Sequence, residues 1–252
     1  MSGNVPRVRM FAGPNGSGKS TLKDKIPSEG LPPDWLGIYV NADLIERTLK
    51  TQNGRLSLVP FGISTTSGEL QAFFAGSELM LTTGLLEMVG GATVENGEIA
   101  LGHVKVDSYL AAVLADFIRT KLLEARATFS FETVMSNRDK IELLSKARSL
   151  GYRAYLYFVA TEDPEINIGR IAYRVSQGGH PVPEGKVRSR YARSLDLLLE
   201  AIRNTDRAYI FDNTSEELVL VAEVTDGKHL TSHVAEAPAW FDEAVLKKVR
   251  TA

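Results

Sequence analysis

Gly13-Pro14-Asn15-Gly16-Ser17-Gly18-Lys19-Ser20-Thr21 is the stretch that decides how the rest of the chain is read. It satisfies the pattern G-x-x-x-x-G-K-[ST]. In such a loop the glycines let backbone N–H groups close around phosphate oxygens, and the N-terminus of the following helix adds a favourable dipole. The flanks suit it: Val8–Ala12 reads as a strand, and Thr21–Ile26 can start a helix. The pattern predicts that Gly13, Pro14, Asn15, Gly16, Ser17, Gly18, Lys19, Ser20 and Thr21 hold a nucleoside triphosphate. Lys19 would reach the β- and γ-phosphates, and Ser20 would ligate Mg²⁺.

Outward from the loop, short β-branched or aromatic runs alternate with helical patterns. The runs are Val8–Ala12, Ile38–Asn41, Phe129–Glu132, Ala154–Ala160, Ala208–Asp212 and Leu218–Val224. Most are continuously apolar, as strands buried on both faces of a parallel sheet are. Helical periodicity marks Tyr109–Glu124, Asp139–Ser149 and the face carrying Val187, Tyr191, Leu195, Leu198 and Ile202. The alternation predicts an α/β fold of the P-loop NTPase type, a doubly wound, mostly parallel sheet flanked by helices. Residues 51–105 break the rhythm. They read as an insertion after the second strand, with a helix near Glu69–Val89 and a β-hairpin turning at Asn96-Gly97. Pro238-Ala239-Trp240-Phe241 opens a short amphipathic helix at the C-terminal end.

The bulk properties exclude several classes. The chain has 252 residues, of which 44% are hydrophobic and 24% charged, so it can bury a core and is not a disordered or collagen-like polymer. The length suits one large domain, 1–252, that includes the insertion. A formal net charge of -2 disfavours a surface built to bind nucleic-acid backbones. With Cys 0, disulfides, thiolate zinc sites and cysteine nucleophiles are excluded. Met1 to Asn15 has no secretory apolar segment, and no apolar run approaches the roughly 20 residues of a membrane span. A cytoplasmic protein without a membrane partner is the expectation.

Chemistry beyond nucleotide binding rests on strand ends, because in a parallel sheet the strand C-termini gather around the ligand crevice. Asp43 follows the strand Ile38–Asn41 and is the candidate base for an attacking hydroxyl, or else a helix cap. Glu132 and Thr133 end the strand that begins at Phe129 and are candidates for acceptor or Mg²⁺ contacts, or for capping. Arg170, Arg174, Arg188, Arg190 and Arg193 lie in two helical stretches within 165–195, joined by Gly178-Gly179-His180-Pro181-Val182-Pro183. The pattern suits an arginine-rich lid over phosphates, with Arg174 and Arg190 favoured to meet charge on the transferred group. The competing reading is a solvated basic face paired with Glu184 and Glu200. Asp212 closes an apolar strand as a Walker B acid does, but Asn213-Thr214 follows it where a water-activating Glu would stand.

This ordered set of motifs resembles the zeta-toxin family of P-loop kinases, in particular its chromosomal branch of ATPase-like members. The carrying segments are Ala12–Thr21, Asn41-Ala42-Asp43, Phe129-Ser130-Phe131-Glu132-Thr133, Arg174-Val175 with Gly178-Gly179-His180, Arg190-Tyr191, and Phe211-Asp212-Asn213. The resemblance implies ATP or GTP with Mg²⁺ and phosphoryl transfer to a small-molecule hydroxyl, the best-known acceptor being UDP-N-acetylglucosamine. It places Lys19 and Ser20 on phosphates and Mg²⁺, Asp43 as base, Glu132 and Thr133 on the acceptor, and the lid arginines, Arg174 and Arg190 among them, on the γ-phosphate. It also implies an antitoxin protein as partner. Related chains pass from the Asn-Ala-Asp segment to the long helix through a shorter connector, so 51–105 is a departure that bears on acceptor choice. A nucleotide-hydrolysing regulator and a nucleic-acid end kinase are the rival functions.

Overall fold

The computed structural model describes residues 5–26, 34–215 and 217–250. Both ends of the expected 1–252 domain, and residues 1–4 of the leader reading, lie outside that set. The chain divides into two compact units, Met1–Leu36 with Ser130–Ala252, and Gly37–Phe129. The first unit opens with strand β1 (Arg7–Ala12), whose Val8, Met10, Phe11 and Ala12 are fully buried. The phosphate-loop sequence follows it and leads into helix α1 (Lys19–Lys25). Lys23 and Lys25 sit in the last turn of α1, where they complement the helix dipole.

The second unit begins with β2 (Ile38–Val40) and α2 (Ala42–Thr51). Asn41 caps α2, its Oδ1 accepting from the N–H groups of Asp43 at 2.8 Å and Leu44 at 3.2 Å. Asn53 and Gly54, both with positive φ, turn the chain into β3 (Arg55–Ser57). Where the periodicity predicts one helix over 69–89, there are three: α3 (Ser67–Ala75), α4 (Glu78–Thr83) and α5 (Leu85–Met88). The breaks have local causes. Gly76 ends α3, Ser77 caps α4 by accepting from the N–H of Met80, and Gly84 (φ +69°) ends α4 in the left-handed conformation. Next come β4 (Thr93–Glu95) and β5 (Glu98–Ala100), joined by Asn96 (φ +52°) and Gly97 (φ +74°). Two positive φ angles in a two-residue loop match the right-handed twist of paired strands. A three-stranded sheet in the order β3-β5-β4 results. The long helix α6 (Ser108–Glu124), capped by Asp107, buries Leu110, Leu114, Phe117 and Ile118 and packs on α2.

The chain then returns to the first unit with β6 (Phe129–Thr133), α7 (Asp139–Ser149), β7 (Arg153–Ala160), α8 (Pro164–Ser176) and α9 (Glu184–Asp196). It continues through α10 (Leu198–Arg203), β8 (Arg207–Asp212), β9 (Val219–Thr225), β10 (His229–Ser232), α11 (Ala239–Phe241) and α12 (Lys247–Arg250). Strand order in this unit is β10-β9-β8-β7-β1-β6. β1, β7 and β8 run parallel, whereas β9 is antiparallel to both β8 and β10. The fold is therefore the expected P-loop NTPase-like α/β architecture, with a mostly parallel sheet flanked by helices. The antiparallel edge has two short connections behind it: residues 213–218 join β8 to β9, too few for a parallel crossover, and Asp226 (φ +53°) with Gly227 (φ +66°) turns β9 into β10.

One face of the sheet is aromatic. Phe11 stacks on Tyr157 at 4.9 Å between centroids and Tyr157 on Tyr209 at 5.1 Å, with Trp35 edge-on to the first pair. The Arg9 guanidinium lies 5.3 Å from the Trp35 ring and 5.4 Å from that of Tyr155. Burial drives the pKa of Arg9 down and that of the Tyr157 hydroxyl up. No helix among the described residues is long and apolar enough to cross a membrane.

Two measurements check this account. Phe158 is fully buried in β7. Phe158→Ala should lower unfolding stability in urea by about 3–5 kcal/mol, the range for emptying a core phenyl site; a loss below about 1 kcal/mol contradicts the packing. In the second unit, Glu69 accepts from Lys121 Nζ at 2.6 Å and from the Thr66 N–H at 2.9 Å. These bonds, with one from Thr65, hold its carboxyl down at about 2. Because the folded value lies below the ordinary one, its stabilising effect is complete above the ordinary carboxylate range and lost as pH falls through about 2. NMR titration should find Glu69 at that low value and Lys121→Ala should raise it; an ordinary value in the parent contradicts the geometry.

Candidate functional site

The loop between β1 and α1 depends on three glycines. Gly13 (φ +143°) passes so close to β7 that a Cβ there would lie 2.0 Å from Val159 O. Gly16 (φ +79°) runs against the first turns of α8, where a Cβ would lie 2.7 Å from Asn167 O. Gly18 (φ +98°) sits at the start of α1, and a Cβ would lie 2.3 Å from Asn213 Nδ2. These are the left-handed, close-approach positions that glycine alone fills without strain.

The polar groups of the loop are partly committed. Lys19 Nζ donates to Gly13 O and Pro14 O, each at 2.8 Å. It therefore curls over the loop, where its charge lies beside the backbone that would face phosphate. Ser17 Oγ and Asn15 Oδ1 are buried with no hydrogen-bond partner among the described residues. A bound group that brings oxygens and protons here would satisfy them. Ser20 Oγ donates to Glu132 Oε2 at 3.0 Å, so β6 delivers a carboxylate to the first turn of α1. A hydroxyl and a carboxylate are hard oxygen donors of the kind Mg²⁺ takes in ones and twos, the rest of its shell coming from phosphates and water. Thr133 faces its own turn, its Oγ1 accepting from the N–H of Met135 at 3.1 Å.

The structure thus brings Gly13–Thr21 and Glu132 together. Asp43 is exposed in the first turn of α2 and belongs to the second unit; Asn41, not Asp43, is the cap of that helix. The arginines lie on α8 and α9 as the spacing indicates, with diverse partners. Arg174 Nη2 donates to His180 O at 3.0 Å, so it would have to leave that carbonyl to reach a phosphate. Arg188 forks onto Glu165 at 2.7 and 2.9 Å and reaches Glu184 at 3.2 Å, and these carboxylates raise its pKa. Arg170 donates to Ser215 O at 3.3 Å. Arg190 is half-buried and Arg193 exposed on α9. Glu200 pairs with Arg138 instead of with an α9 arginine.

Asp212 is a structural acid. It accepts from Trp240 Nε1 at 2.6 Å and from the N–H and Oγ1 of Thr214, each at 2.9 Å, which ties α11 to the end of β8. Two residues hold the loop in a role that the sequence does not indicate. Asn167 Nδ2 donates to Asn15 O at 2.8 Å, and Asn213 Nδ2 donates to Ser17 O at 2.8 Å. Asn213 belongs to the resembling segment Phe211-Asp212-Asn213 without a role of its own there, and nothing in the sequence singles out Asn167.

Fold and loop together define the class of molecule: a P-loop NTPase-like α/β protein. No family model matches the chain. A Haemophilus influenzae protein described as uncharacterized is 24% identical over 183 residues, 72% of this chain and 89% of that one. Among solved structures, the PezAT chromosomal toxin-antitoxin system of Streptococcus pneumoniae matches with a TM-score of 0.53 and 15% identity, over 98% of this chain and 80% of that one. The AvrRxo1-ORF1:-ORF2 complex with ATP matches with a TM-score of 0.52 and 17% identity, over 94% of this chain. The chain spans 65% of the length of that structure. At these identities the likeness is one of fold.

The Gly18 geometry carries its own test. Gly18→Ala should lose about 1–3 kcal/mol of stability through backbone strain and the clash with Asn213. An unchanged melting temperature contradicts the loop conformation.

Proposed function

We propose that the protein is a kinase that transfers the γ-phosphoryl group of a nucleoside triphosphate to a hydroxyl of a small-molecule acceptor. The observation that carries the reading is the pairing of Ser20 with Glu132 beside the Lys19-capped glycine loop. That arrangement supplies a phosphate cradle, a cation and a hard-oxygen pair within one unit, which is what phosphoryl transfer asks of a protein: positioning and charge stabilisation. A bound Mg-nucleotide supplies the transferable group and the divalent charge.

The chain's own residues do the rest. Backbone N–H groups of the loop receive phosphate oxygens, and Lys19 exchanges the carbonyls of Gly13 and Pro14 for them. Ser20 and Glu132 give oxygens toward Mg²⁺, directly or through water. Asp43 accepts the proton of the acceptor hydroxyl as its oxygen bonds to phosphorus and the bond from phosphorus to the leaving oxygen breaks. Thr133 assists acceptor contacts, and Arg174 and Arg190 neutralise charge on the transferred group once Arg174 releases His180 O. The acceptor we favour is a sugar nucleotide of the UDP-N-acetylglucosamine type. An antitoxin protein is the proposed partner, a reading supported by the fold shared with a solved toxin-antitoxin system.

Two variants separate binding from chemistry. Lys19→Ala should weaken ATP binding in calorimetry by about tenfold or more, equivalent to about 1.4 kcal/mol, because the charge in the cradle is lost. Asp43→Ala should bind ATP as the parent does and lose transfer of label from γ-labelled ATP to acceptor. Transfer at the parental rate in Asp43→Ala would remove Asp43 from the role of base.

A further inference from the structure

Two carbonyls of the glycine loop are gripped by side-chain amides from elsewhere in the fold, and the consequence follows from peptide geometry. In a trans peptide, the C=O of one residue and the N–H of the next point to opposite sides of the chain. Asn167 Nδ2 holds Asn15 C=O at 2.8 Å, so the N–H of Gly16 is aimed away from α8. Asn213 Nδ2 holds Ser17 C=O at 2.8 Å, so the N–H of Gly18 is aimed away from the end of β8. The intervening Ser17 N–H is turned inside the loop, donating to Pro14 O at 3.3 Å. We infer that Asn167 and Asn213 are positioning residues, a pair of amide clamps that set the direction of the Gly16 and Gly18 N–H groups toward a bound phosphate.

The clamps are themselves held. Asn167 is fully buried, and its Oδ1 accepts from Thr161 Oγ1, which fixes which end of the amide faces the loop. Thr161 is fully buried as well, and its carbonyl accepts from Tyr191 Oη of α9 at 2.6 Å. Burial drives the pKa of that tyrosine upward, so its hydroxyl stays a donor over the working pH range. Asn213 is pinned by its own N–H, which donates to Ala160 O at 2.8 Å at the end of β7. Both loop residues beside the clamps are glycines, because a Cβ at Gly16 or Gly18 would overlap α8 or Asn213. An amide is required at these positions. Aspartate has the shape but no donor when ionised, and alanine leaves the carbonyl without its partner.

The inference rests on the nucleotide reading of Gly13–Thr21, and the experiment keeps the two apart. N–H bond directions of Gly16 and Gly18 are read from residual dipolar couplings of the full chain without nucleotide, in the parent, Asn167→Ala and Asn213→Ala. Calorimetry with Mg-ATP is run on the same proteins and on Asn213→Asp at neutral and acidic pH. The clamps predict reoriented couplings at Gly16 in Asn167→Ala and at Gly18 in Asn213→Ala, each with its fold retained by circular dichroism. They predict that Asn213→Ala and Asn213→Asp both bind ATP about tenfold more weakly at neutral pH. Asn213→Asp alone recovers as acid protonates its carboxyl and restores a donor. Unchanged couplings in both alanine variants overturn the inference whether or not ATP binds. Affinity within twofold of the parent in Asn213→Ala overturns it too. If an alanine variant fails to fold, Asn167→Asp or Asn213→Asp carries the test at that position, its Gly16 or Gly18 couplings measured at neutral and acidic pH and expected to return toward the parent's in acid; couplings that do not change with pH overturn the inference. A parent that shows no ATP binding, with reoriented couplings in the variants, overturns the nucleotide reading and leaves the clamps standing.

Discussion

A phosphate-binding loop must turn N–H groups toward its ligand while its carbonyls, driven into the protein, find partners there. That single demand organises the first unit. Burying an unpartnered carbonyl costs about 1–3 kcal/mol, so each carbonyl turned inward needs a donor. Asn167 provides one for Asn15 and Asn213 for Ser17, while Lys19 Nζ lies on Gly13 O and Pro14 O at the face of the loop that would meet phosphate. The two amide donors come from α8 and the segment after β8. The loop conformation is therefore a property of the whole unit and not of nine residues read in isolation. The glycines answer the same demand sterically, since β7 and α8 approach the loop to distances at which a Cβ would overlap them.

The parallel pairing of β1 with β7, and of β7 with β8, is what brings those donors to one edge. In register, Ala12 lies opposite Phe158, and Ala160 opposite Asp212. The loop, the start of α8 and the turn after β8 consequently leave the sheet side by side. β6 ends at the same edge on the other flank of β1, and Glu132 reaches Ser20 there. Phe11, Tyr157 and Tyr209 stack in a row across the same three strands, β1, β7 and β8. Asp212 then closes the edge by tying Trp240 to β8, which explains a strand-end acid that is not followed by a water-activating glutamate.

Much of this was legible in the sequence, for identifiable reasons. Gly13–Thr21 combines a strand, a glycine pattern and a helix start, and each constrains the others. Asn96-Gly97 encodes its turn through two positive φ angles. Asp139–Ser149 has a clean apolar period that ends before Gly151. Other features depend on information that the local sequence lacks. The apolar run that became β9 is compatible with either strand direction, and the choice is made by the short connection of residues 213–218 from β8, too short for a parallel crossover. The apolar content of 69–89 hid two breaks that hang on single capping residues, Ser77 and Gly84. Arginine spacing placed the side chains on α8 and α9, and the basic-face reading named Glu184, which Arg188 reaches, but not Glu165 or the His180 carbonyl. Arg188 belongs to Glu165 and Glu184, and Arg174 rests on His180 O. The asparagines that hold the loop lie far from it in sequence; Asn213 stands in the resembling segment Phe211-Asp212-Asn213 and Asn167 in no motif, and only the fold shows that both grip the loop.

The most direct measurement of the central claim is the fate of the γ-phosphorus of ATP, followed by ³¹P NMR with the full chain, Mg²⁺ and a pool of hydroxyl-bearing sugar nucleotides. The account predicts a new phosphomonoester resonance that grows as ATP falls, with ADP as co-product and little inorganic phosphate. ATP consumed only to ADP and inorganic phosphate, with no phosphorylated acceptor from this pool or from nucleosides, would contradict the kinase and favour a nucleotide-hydrolysing regulator.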